Sequence, residues 1–550
     1  MKTLGPALAL LLAATALSGC GGGKSSEVTG RAPCPKGLLC LEYGNAQDIG
    51  TLDPQKTNGD WEFIVAGEFT MGLLEQDSMG KAAPGMATSW ENSADGLTWT
   101  FHLRDADWSD GVPVTADDFV FAYRRAFDPN TASEQAQQLY AIKNAREVNG
   151  GKLPLTALGV SAPDKHTVVI QLEHPWAILP SFIAGSGVVA AVPEHAVKKF
   201  GDKWADPKNF VGNGPYLPVS WKLGDRVVVR KNPRFYDAKN VCIDQVSFYP
   251  TVDSVSAGRR VKKGELDLST EIQSNRVKFL MQPGQMPEYV RVAPYVGFVY
   301  LAFNMRDVPA FKDVRVRKAL SMAIDRDFIS YKLFGGGQTP AVSAVPPGMV
   351  DYDSRVQAHW AKWPLEKRMA EAKRLLAEAG YGPKHPLKVE IKHRNSADPM
   401  LYMPAIQADW RQIGVTASLA PNESKIAYQS YLAKDFQIAD AGWVGGNDAV
   451  GFLFLERSNA GEQNYSGWHN AEFEDLLNKA DNERDINKRM DYIAAAEKLV
   501  LDDAPIAPIY NTASRKLVSP NVTGWKNNVL DEHPIRYLCF KDAAARRARG

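Results

Sequence analysis

The chain has 550 residues, of which 45% are hydrophobic and 23% charged, a composition that fits roughly two to four globular domains with substantial cores. Its 64 basic and 63 acidic residues nearly cancel, which excludes an overall field that would attract nucleic acid or an anionic membrane surface. A ligand must therefore be selected by a local site.

Residues 1–20 have the pattern of a secretory signal. Lys2 precedes an apolar run that ends at Leu17 and is too short for a convincing membrane span. The sequence LSGC that closes this segment resembles the bacterial lipobox, which implies that Cys20 becomes the lipidated first residue of the mature chain. The alternative is an ordinary signal with a chance cysteine near its cleavage site. Residues 21–40 are expected to form a flexible tether.

Four further cysteines are an even number in an exported chain, which indicates two disulfides. Four cysteines allow three pairings. The short loop between Cys34 and Cys40 favours that pair and leaves Cys242 with Cys539. No zinc-ligand spacing accompanies them, so no metal is expected.

Strands and helices alternate along the mature chain, which predicts a mixed α/β fold. Thr115 can cap a helix in which Asp118 folds back, as in a capping box. Residues 365–379 carry one apolar stripe at helical spacing, and Gly380 stands where a helix C-terminal cap belongs. The strand candidates, rich in β-branched and aromatic residues, are residues 97–103, 167–172, 226–230, 246–249 and 298–303.

The sequence lacks the motifs that indicate an enzyme or a cofactor site. It contains no GxSxG elbow, no HExxH pair, no GxGxxG after a strand and no EF-hand loop. Its nine histidines include no i, i+4 pair. We therefore expect neither catalysis nor a cofactor, although hydrolases can assemble sites from residues distant in sequence.

The stretch AGWVGGNDAV, residues 441–450, combines one tryptophan, two adjacent glycines and two polar residues. Gly445 and Gly446 are expected to adopt positive φ and to let the backbone approach a neighbour closely. Asp448 is the only charged residue of the stretch. On composition alone, a surface hairpin is the simplest interpretation.

Several stretches together resemble one family, the extracytoplasmic peptide-binding components of ABC importers, known as the oligopeptide-binding-protein group. The resemblance covers the chain from about residue 41 to about residue 540, and its motifs occur in the family's order. These motifs are TLDPQKTNGD (51–60), the long segment from ATSWEN to DPNTAS (87–133), KKFGDKWADPKNFVGNGPY (198–216), FKDVRVRKALSMAIDRDFI (311–329), EKRMAEAKRLLAEAGY (366–381) and AGW (441–443).

This resemblance implies a two-lobed α/β clamp of the periplasmic-binding-protein type II, with an extra domain inserted in the first lobe. The lobes would close over a ligand about a hinge, and the membrane permease would recognise the closed form. The expected parts are a discontinuous lobe I of residues 41–70, 209–296 and 514–550, an extra domain II of residues 71–208, and a lobe III of residues 297–513.

The resemblance also implies where the ligand binds. A peptide would lie extended in the cleft and pair its backbone with strands of both lobes, so that affinity depends little on side chains. One lobe would contribute Asn58, Gly59 and Asp60, and the other would contribute Trp443, Gly445, Gly446, Asn447 and Asp448.

Gly446 departs from the family pattern, because oligopeptide binders commonly carry an aspartate there that pairs with the ligand α-ammonium. An unpaired ammonium in a closed cleft would cost several kcal/mol. Either Asp448 or Asp60 is therefore expected to replace the missing acid, and the flexible glycines favour Asp448. Alternatively, the ligand has no free amine at this point.

Two further positions depart from the family pattern. Asp440 stands where members that bind a peptide carboxylate tend to have arginine, with Lys434 as a nearby substitute cation. Gln135 stands where the best-known peptide binders have a ligand-facing tyrosine. These departures suggest altered ligand chemistry.

We therefore expect a lipid-anchored monomer outside the cytoplasm, periplasmic or on the cell surface, that captures peptides and delivers them to ABC permease subunits. A murein peptide or a glycoside is an alternative ligand. A secreted hydrolase that uses the same cleft is the alternative from another class of protein.

Overall fold

The structure is a computed structural model that describes residues 31–549, except Glu271, Val350 and Asn447. The predicted signal, Cys20 and most of the predicted tether lie outside the described residues. Within those residues, every helix is too short or too polar to span a bilayer.

The described part of the chain contains nineteen strands. In chain order they are β1 (Cys40–Gly44), β2 (Leu74–Gln76), β3 (Ala82–Pro84), β4 (Ala87–Asn92), β5 (Thr98–Leu103), β6 (Val160–Asp164), β7 (Thr167–Gln171), β8 (Tyr216–Lys222), β9 (Arg226–Lys231), β10 (Gln245–Tyr249), β11 (Leu268–Ser269), β12 (Val290–Phe303), β13 (Thr339–Pro340), β14 (Lys388–Arg394), β15 (Thr416–Asn422), β16 (Ile438–Val444), β17 (Ile506–Val518), β18 (Val522–Thr523) and β19 (Cys539–Phe540).

Fifteen α-helices and one π-helix (Phe328–Phe334) occur in the same described residues. The α-helices are α1 (Asp60–Ala66), α2 (Ala116–Phe127), α3 (Ala145–Asn149), α4 (Leu179–Ala184), α5 (Glu194–Phe200), α6 (Ser254–Lys262), α7 (Val277–Leu280), α8 (Val314–Met322), α9 (Leu365–Glu378), α10 (Ala397–Gln412), α11 (Ser424–Leu432), α12 (Val450–Leu453), α13 (Ala471–Asn482), α14 (Ile486–Asp503) and α15 (Ala543–Arg549).

The local sequence signals are confirmed. Strands β5, β7, β9, β10 and β12 cover the five strand candidates. The capping box of α2 is present, and the Thr115 N–H donates to the Asp118 carboxylate at 2.9 Å. Helix α9 follows the predicted apolar stripe, and Gly380 just beyond it has a φ of +89°. That conformation favours glycine because it lacks a Cβ.

Two long strands join the halves of the main sheet, whose strand order is β15-β14-β16-β12-β17-β11-β1-β10-β9-β8. Strands β12 and β17 are antiparallel, and their pairing is irregular between Pro294 and Phe298. Strands β14 to β16 lie on one side of this pair, and β1 with β8 to β11 lies on the other. Because β12 and β17 run through both halves, they are the natural place for a hinge.

Each half has its own hydrophobic core. One core combines side chains from residues 39–268 with residues 518–540, and it includes the small sheet β4-β5-β7-β6. Two other cores cover the faces of the sheet formed by residues 296–510. We call the half with β1 lobe I, the half with β16 lobe III, and the region around β4 to β7 domain II.

The N-terminal segment before β1 is packed against lobe I, which corrects part of the predicted tether. Ala32 is buried, and its N–H donates to the Tyr249 hydroxyl at 2.7 Å. Arg31 forms an ion pair with Asp267 at 2.9 Å. A flexible segment over residues 21–40 therefore does not extend through residues 31–40.

Both favoured disulfides are present. Cys34 and Cys40 close the short loop at the start of β1, with a Cα–Cα distance of 5.9 Å. Cys242 and Cys539 join the region before β10 to β19 with a Cα–Cα distance of 5.4 Å. The second bridge ties the C-terminal segment to lobe I.

Candidate functional site

A cavity opens between lobe I and lobe III. It has a larger part of about 640 Å³ and a smaller part of about 310 Å³, sizes that match the roughly 300–1,000 Å³ of ligand sites in proteins. We call the two parts together the interlobe cavity, because they share the lining residues Asp60, Tyr295, Val444, Leu530 and Glu532.

The start of α1 places Asp60 in the lobe I wall of the interlobe cavity. The Gly59 carbonyl accepts hydrogen bonds from the N–H groups of Glu62 at 2.8 Å and Phe63 at 3.0 Å, which begins the helix. Asp60 is the first helical residue and is exposed, where the positive end of the helix dipole favours an acid. The Glu62 carboxylate fixes the preceding loop by accepting from the Asn58 N–H at 2.8 Å.

Asn58 and Gly59 support this wall without lining it. The Asn58 side-chain carbonyl accepts from Gln135 Nε2 at 2.9 Å, and its amide donates to the Glu134 carboxylate. A Cβ on Gly59 would lie 2.5 Å from the Trp61 ring, which explains the glycine by packing. Gln135 itself lines the smaller part of the cavity.

The end of β16 forms the lobe III wall. Val444 pairs with Gly297 of β12, and the Gly445 N–H then donates to the Val296 carbonyl at 3.1 Å. Val444, Gly445 and Gly446 line the smaller part of the cavity. Trp443 does not line either part, because its ring packs against a lobe III core.

The paired glycines serve different purposes, and the expectation of positive φ is wrong for both. A Cβ on Gly445 would lie 2.6 Å from the Phe452 ring. A Cβ on Gly446 would meet nothing within 4 Å. Gly445 is therefore required by packing inside lobe III, whereas Gly446 leaves open space at the cavity wall.

The Asp448 carboxylate, predicted to pair with a ligand ammonium, has partners inside lobe III. It accepts hydrogen bonds from Arg489 Nη2 at 2.9 Å and from the Val450 N–H at 2.9 Å. The same Arg489 nitrogen lies 3.3 Å from buried Asp351, whose pKa is raised to about 7 by burial and by the charge of Asp448. Asp448 lines neither part of the cavity, so its charge is used within lobe III. Asn447 lies outside the described residues.

Asp440 and Lys434 also face lobe III rather than the cavity. Asp440 is fully buried, accepts from Arg394 Nε at 3.0 Å and accepts from the Tyr402 hydroxyl. Lys434 donates to the Glu462 carbonyl at 2.7 Å, and burial lowers its pKa to about 8. The charge of Asp440 is therefore compensated inside lobe III by Arg394.

The C-terminal segment before β19 brings acids to the cavity that sequence reasoning missed. Asp531 lies 2.7 Å from Lys516 Nζ and 3.1 Å from the His533 ring. Glu532 lines both parts of the cavity, and burial together with the charge of Asp531 raises its pKa to about 7. The Asn528 side chain accepts from the Glu532 N–H at 3.2 Å and fixes this loop. Nothing in the local sequence signals this role.

The family comparison identifies this architecture. The family model for bacterial extracellular solute-binding proteins, family 5 (middle region), matches residues 81–464. The periplasmic oligopeptide-binding protein OppA of Salmonella typhimurium is 36% identical over 490 residues, which cover 88% of this chain and 89% of OppA. The chain belongs to family 5 of the bacterial extracellular solute-binding proteins.

Solved structures of similar proteins agree with this membership. The periplasmic murein tripeptide-binding protein MppA, in its unliganded open form, superposes with a TM-score of 0.83 at 32% identity, covering 93% of this chain and 99% of MppA. OppA of Haemophilus influenzae in complex with the peptide RPPGFSPFR gives a TM-score of 0.71 at 31% identity, covering 92% and 99%. The predicted two-lobed α/β clamp is thereby confirmed.

Family 5 consists of solute-binding proteins, so a cavity between the lobes is the expected ligand site. Among the described residues, no group of three histidine, cysteine or acidic side chains could hold a metal ion. Of the predicted site residues, the structure brings together Asp60, Gly445 and Gly446 at the cavity.

Proposed function

We propose that this protein is the substrate-binding component of an ABC importer, which captures a peptide in the interlobe cavity and delivers it to permease subunits. The observation that supports this most directly is a cavity of ligand size between two separately packed lobes of a family 5 protein. The similar proteins named above are an oligopeptide binder and a murein tripeptide binder. The proposed role needs no catalysis and no cofactor.

Strand edges at the cavity can pair with a peptide backbone. Strand β16 pairs with β14 only through Ile438 and Ala439, so among the described residues its outer edge has no strand partner as far as Val444. Strand β17 pairs with β13 at Asn511 and with β11 at Leu517. Residues 512–514 between them line the larger part of the cavity, whereas the Arg515 carbonyl already accepts from the Ile272 N–H at 3.2 Å. An extended peptide would add main-chain hydrogen bonds here, as in β-augmentation.

Asp60 is the acid that we assign to the ligand α-ammonium. Asp60 lines both parts of the cavity and has no ion-pair partner among the described residues. Asp448 is already paired with Arg489, and Gly446 offers no charge. Asp60, rather than Asp448, is therefore the better candidate for the acid that pairs with the ligand α-ammonium.

Closure of the lobes would complete the ligand site. The chain superposes better on the unliganded open form of MppA than on the peptide complex of OppA, although identity and coverage are nearly equal. This difference supports an open conformation in which the cavity is accessible. Bending at β12 and β17 would then bring the Val444 wall onto the peptide, and the irregular pairing between Pro294 and Phe298 supports the expected lobe boundary at residues 296–297.

The protein would act outside the cytoplasm, as a lipid-anchored monomer held through Cys20. The lipobox-like sequence supports lipidation, and the two disulfides fit an oxidising compartment. Mass spectrometry of the membrane-extracted protein should find a diacylglyceryl-modified N-terminal cysteine, and Cys20→Ser should release the protein from the membrane fraction.

A ligand panel tests the proposed function. Peptides of two to nine residues, a murein tripeptide and free glycosides are added to the purified protein, and melting temperature is followed with small-angle scattering and product masses. We expect one peptide class to raise the melting temperature and to reduce the radius of gyration, with the peptide recovered intact. Unchanged melting with every peptide would contradict the proposal, and shorter products would indicate a hydrolase.

A further inference from the structure

A side pocket of about 100 Å³ opens off the smaller part of the interlobe cavity. Because a cavity of about 10–15 Å³ already holds one water, this pocket has room for the end of one extended side chain. The lining residues common to the pocket and the cavity are Phe63, Gln76, Gly185, Ser186, Gly187 and Glu532. Glu532 therefore lies where the two spaces meet.

The inner wall of the side pocket carries two buried oxygen atoms without a hydrogen-bond partner among the described residues, one on Glu68 and one on Thr70. Glu68 is 5% exposed, and one carboxylate oxygen accepts from the Ile535 N–H at 2.8 Å while the other has no partner among the described residues. The hydroxyl of Thr70, a residue 3% exposed, has no hydrogen-bond partner there either. Glu75 accepts from the Gly72 N–H at 2.8 Å through one oxygen. Buried acceptors without donors cost free energy, so these atoms point to a bound donor.

Acidic groups prevail around the side pocket. Lys516 compensates Asp531 at 2.7 Å. Arg536 lies near both Glu68 and Glu75 but outside the lining, and it donates to the Gln76 carbonyl at 3.4 Å. The titratable residues of the lining are Tyr43, Glu68, Glu75, Asp531, Glu532 and His533.

Resting on the proposed function, we infer that the side pocket binds the cationic end of a ligand side chain, such as the ammonium of a lysine or ornithine residue or the guanidinium of an arginine. The peptide backbone lies in the interlobe cavity, and the side chain passes Glu532 and ends beside Glu68, Thr70 and Glu75. An ammonium has three donors and no acceptor, which suits a wall of acceptors. The protein then selects a cationic residue at one position of the ligand.

Proton release accompanies this binding. Burial raises the pKa of Glu68, Glu75 and Glu532 to about 7, so these groups are partly protonated in the empty protein near neutral pH. An entering cation favours the ionised carboxylates and displaces protons. Affinity for a cationic side chain must therefore fall as pH drops from about 8 to about 5.

Calorimetry with matched peptides tests the inference. A single lysine is moved through the positions of a short peptide, and each peptide is compared with one that has norleucine, which has similar reach but no ammonium. Titrations near pH 7, where these carboxyl groups are partly protonated, are run in buffers of different ionisation enthalpy and measure affinity and released protons. We expect one lysine position to bind about tenfold or more tightly than its norleucine match, with proton release.

Isosteric variants locate the effect. Glu68→Gln and Glu75→Gln keep an acceptor for the Ile535 and Gly72 N–H groups, and together they should bring the lysine-to-norleucine affinity ratio close to one. The control Glu456→Gln alters a buried carboxyl of lobe III, which accepts from the Ser466 hydroxyl at 2.7 Å, and should leave the ratio unchanged.

The outcomes separate this inference from the proposed function. Equal affinities of lysine and norleucine peptides at every position, or a ratio that survives in the double variant, overturn the side pocket while peptide binding stands. If no peptide binds, the proposed function fails instead. Melting curves establish that each variant folds, and proton release by the unaltered protein is a test that needs no variant.

Discussion

The two walls of the interlobe cavity treat charge in opposite ways. On the lobe I side, Asp60 and Glu532 line the cavity, and neither has an ion-pair partner among the described residues. On the lobe III side, Asp448 and Asp440 come from the cavity-lining strand and its following turn, yet arginines compensate both inside the lobe. The lobe III wall itself ends in Val444 and two glycines.

This contrast assigns different tasks to similar residues. A carboxylate that already has a buried arginine contributes to the stability of its lobe, and it is not available to a ligand. A carboxylate without a partner in a cavity is costly until a cation arrives, so it contributes to ligand selection. Altering lobe III acids or their partners should therefore change folding stability, and altering lobe I acids should change affinity.

Removal of Arg489 should have the largest effect. Arg489→Ala would leave Asp351 buried and uncompensated, which should lower the free energy of unfolding by about 3–5 kcal/mol in urea titrations. The exposed Arg355, paired with Asp353 at 2.7 Å, offers the matched control, and Arg355→Ala should cost at most about 1 kcal/mol. Similar losses for the two variants would remove the distinction between compensated and exposed charges.

The buried Glu497 of lobe III should make stability depend on pH. Burial raises its pKa to about 7, although hydrogen bonds from Tyr352, Val345 and Ala344 act to lower it. Because the folded protein holds this proton more tightly than the unfolded chain, the contribution to stability is present below about pH 4.5 and is lost as pH rises through about 7. Glu497→Gln should reduce the fall in unfolding free energy between pH 5 and 8, by an amount on the order of 2 kcal/mol.

Denaturation of Glu497→Gln and the unaltered protein at several pH values measures this difference. Glu474→Gln is a suitable control, because that carboxylate accepts from the Ser458 N–H at 2.7 Å at an exposed position. Parallel stability curves for all three proteins would show that Glu497 does not hold its proton in the folded state.

The adjacent glycines provide a comparison within the lobe III wall. Gly445→Ala should cost about 1–3 kcal/mol of folding stability, since its Cβ would lie 2.6 Å from the Phe452 ring. Gly446→Ala should be nearly neutral for stability, because its Cβ meets nothing within 4 Å. Thermal melting of both variants is the measurement, and equal shifts would contradict the packing explanation.

Pairing of the ligand α-ammonium with Asp60 of lobe I predicts the smallest effect, which is a change in peptide affinity. Asp60→Asn should weaken peptides with a free N-terminus about tenfold, while their N-acetylated forms lose little, because only the former carry the charge that Asp60 compensates. Asp448→Asn serves as the matched control and should not discriminate between the two forms. Calorimetry measures these affinities. If only Asp448→Asn weakened free peptides more than N-acetylated peptides, Asp448 of lobe III would be the ammonium partner.

Predictions from sequence succeeded where the physical cause was local. The capping box at Thr115, the apolar stripe of α9 and the pair Cys34–Cys40 depend on residues within a few positions of each other. The expected positive φ of Gly445 and Gly446 is wrong, and contact with the ring of Phe452 gives a packing reason for the first glycine instead. The prediction of a flexible tether over residues 21–40 is wrong for residues 31–40, because the Ala32 N–H donates to the hydroxyl of Tyr249, far along the chain.

The sequence by itself determined the family, the alternation of strands and helices, the disulfide count and the two short regions where the lobes face each other. Only the tertiary structure decided which acids are available to a ligand, because availability depends on partners that sequence proximity does not supply. Asp448 pairs with Arg489, which lies on α14. Glu532 lines the cavity wall beside Asp60, although the two residues come from opposite ends of the chain. Charge compensation acts through space over a few ångströms, so only the folded chain reveals it.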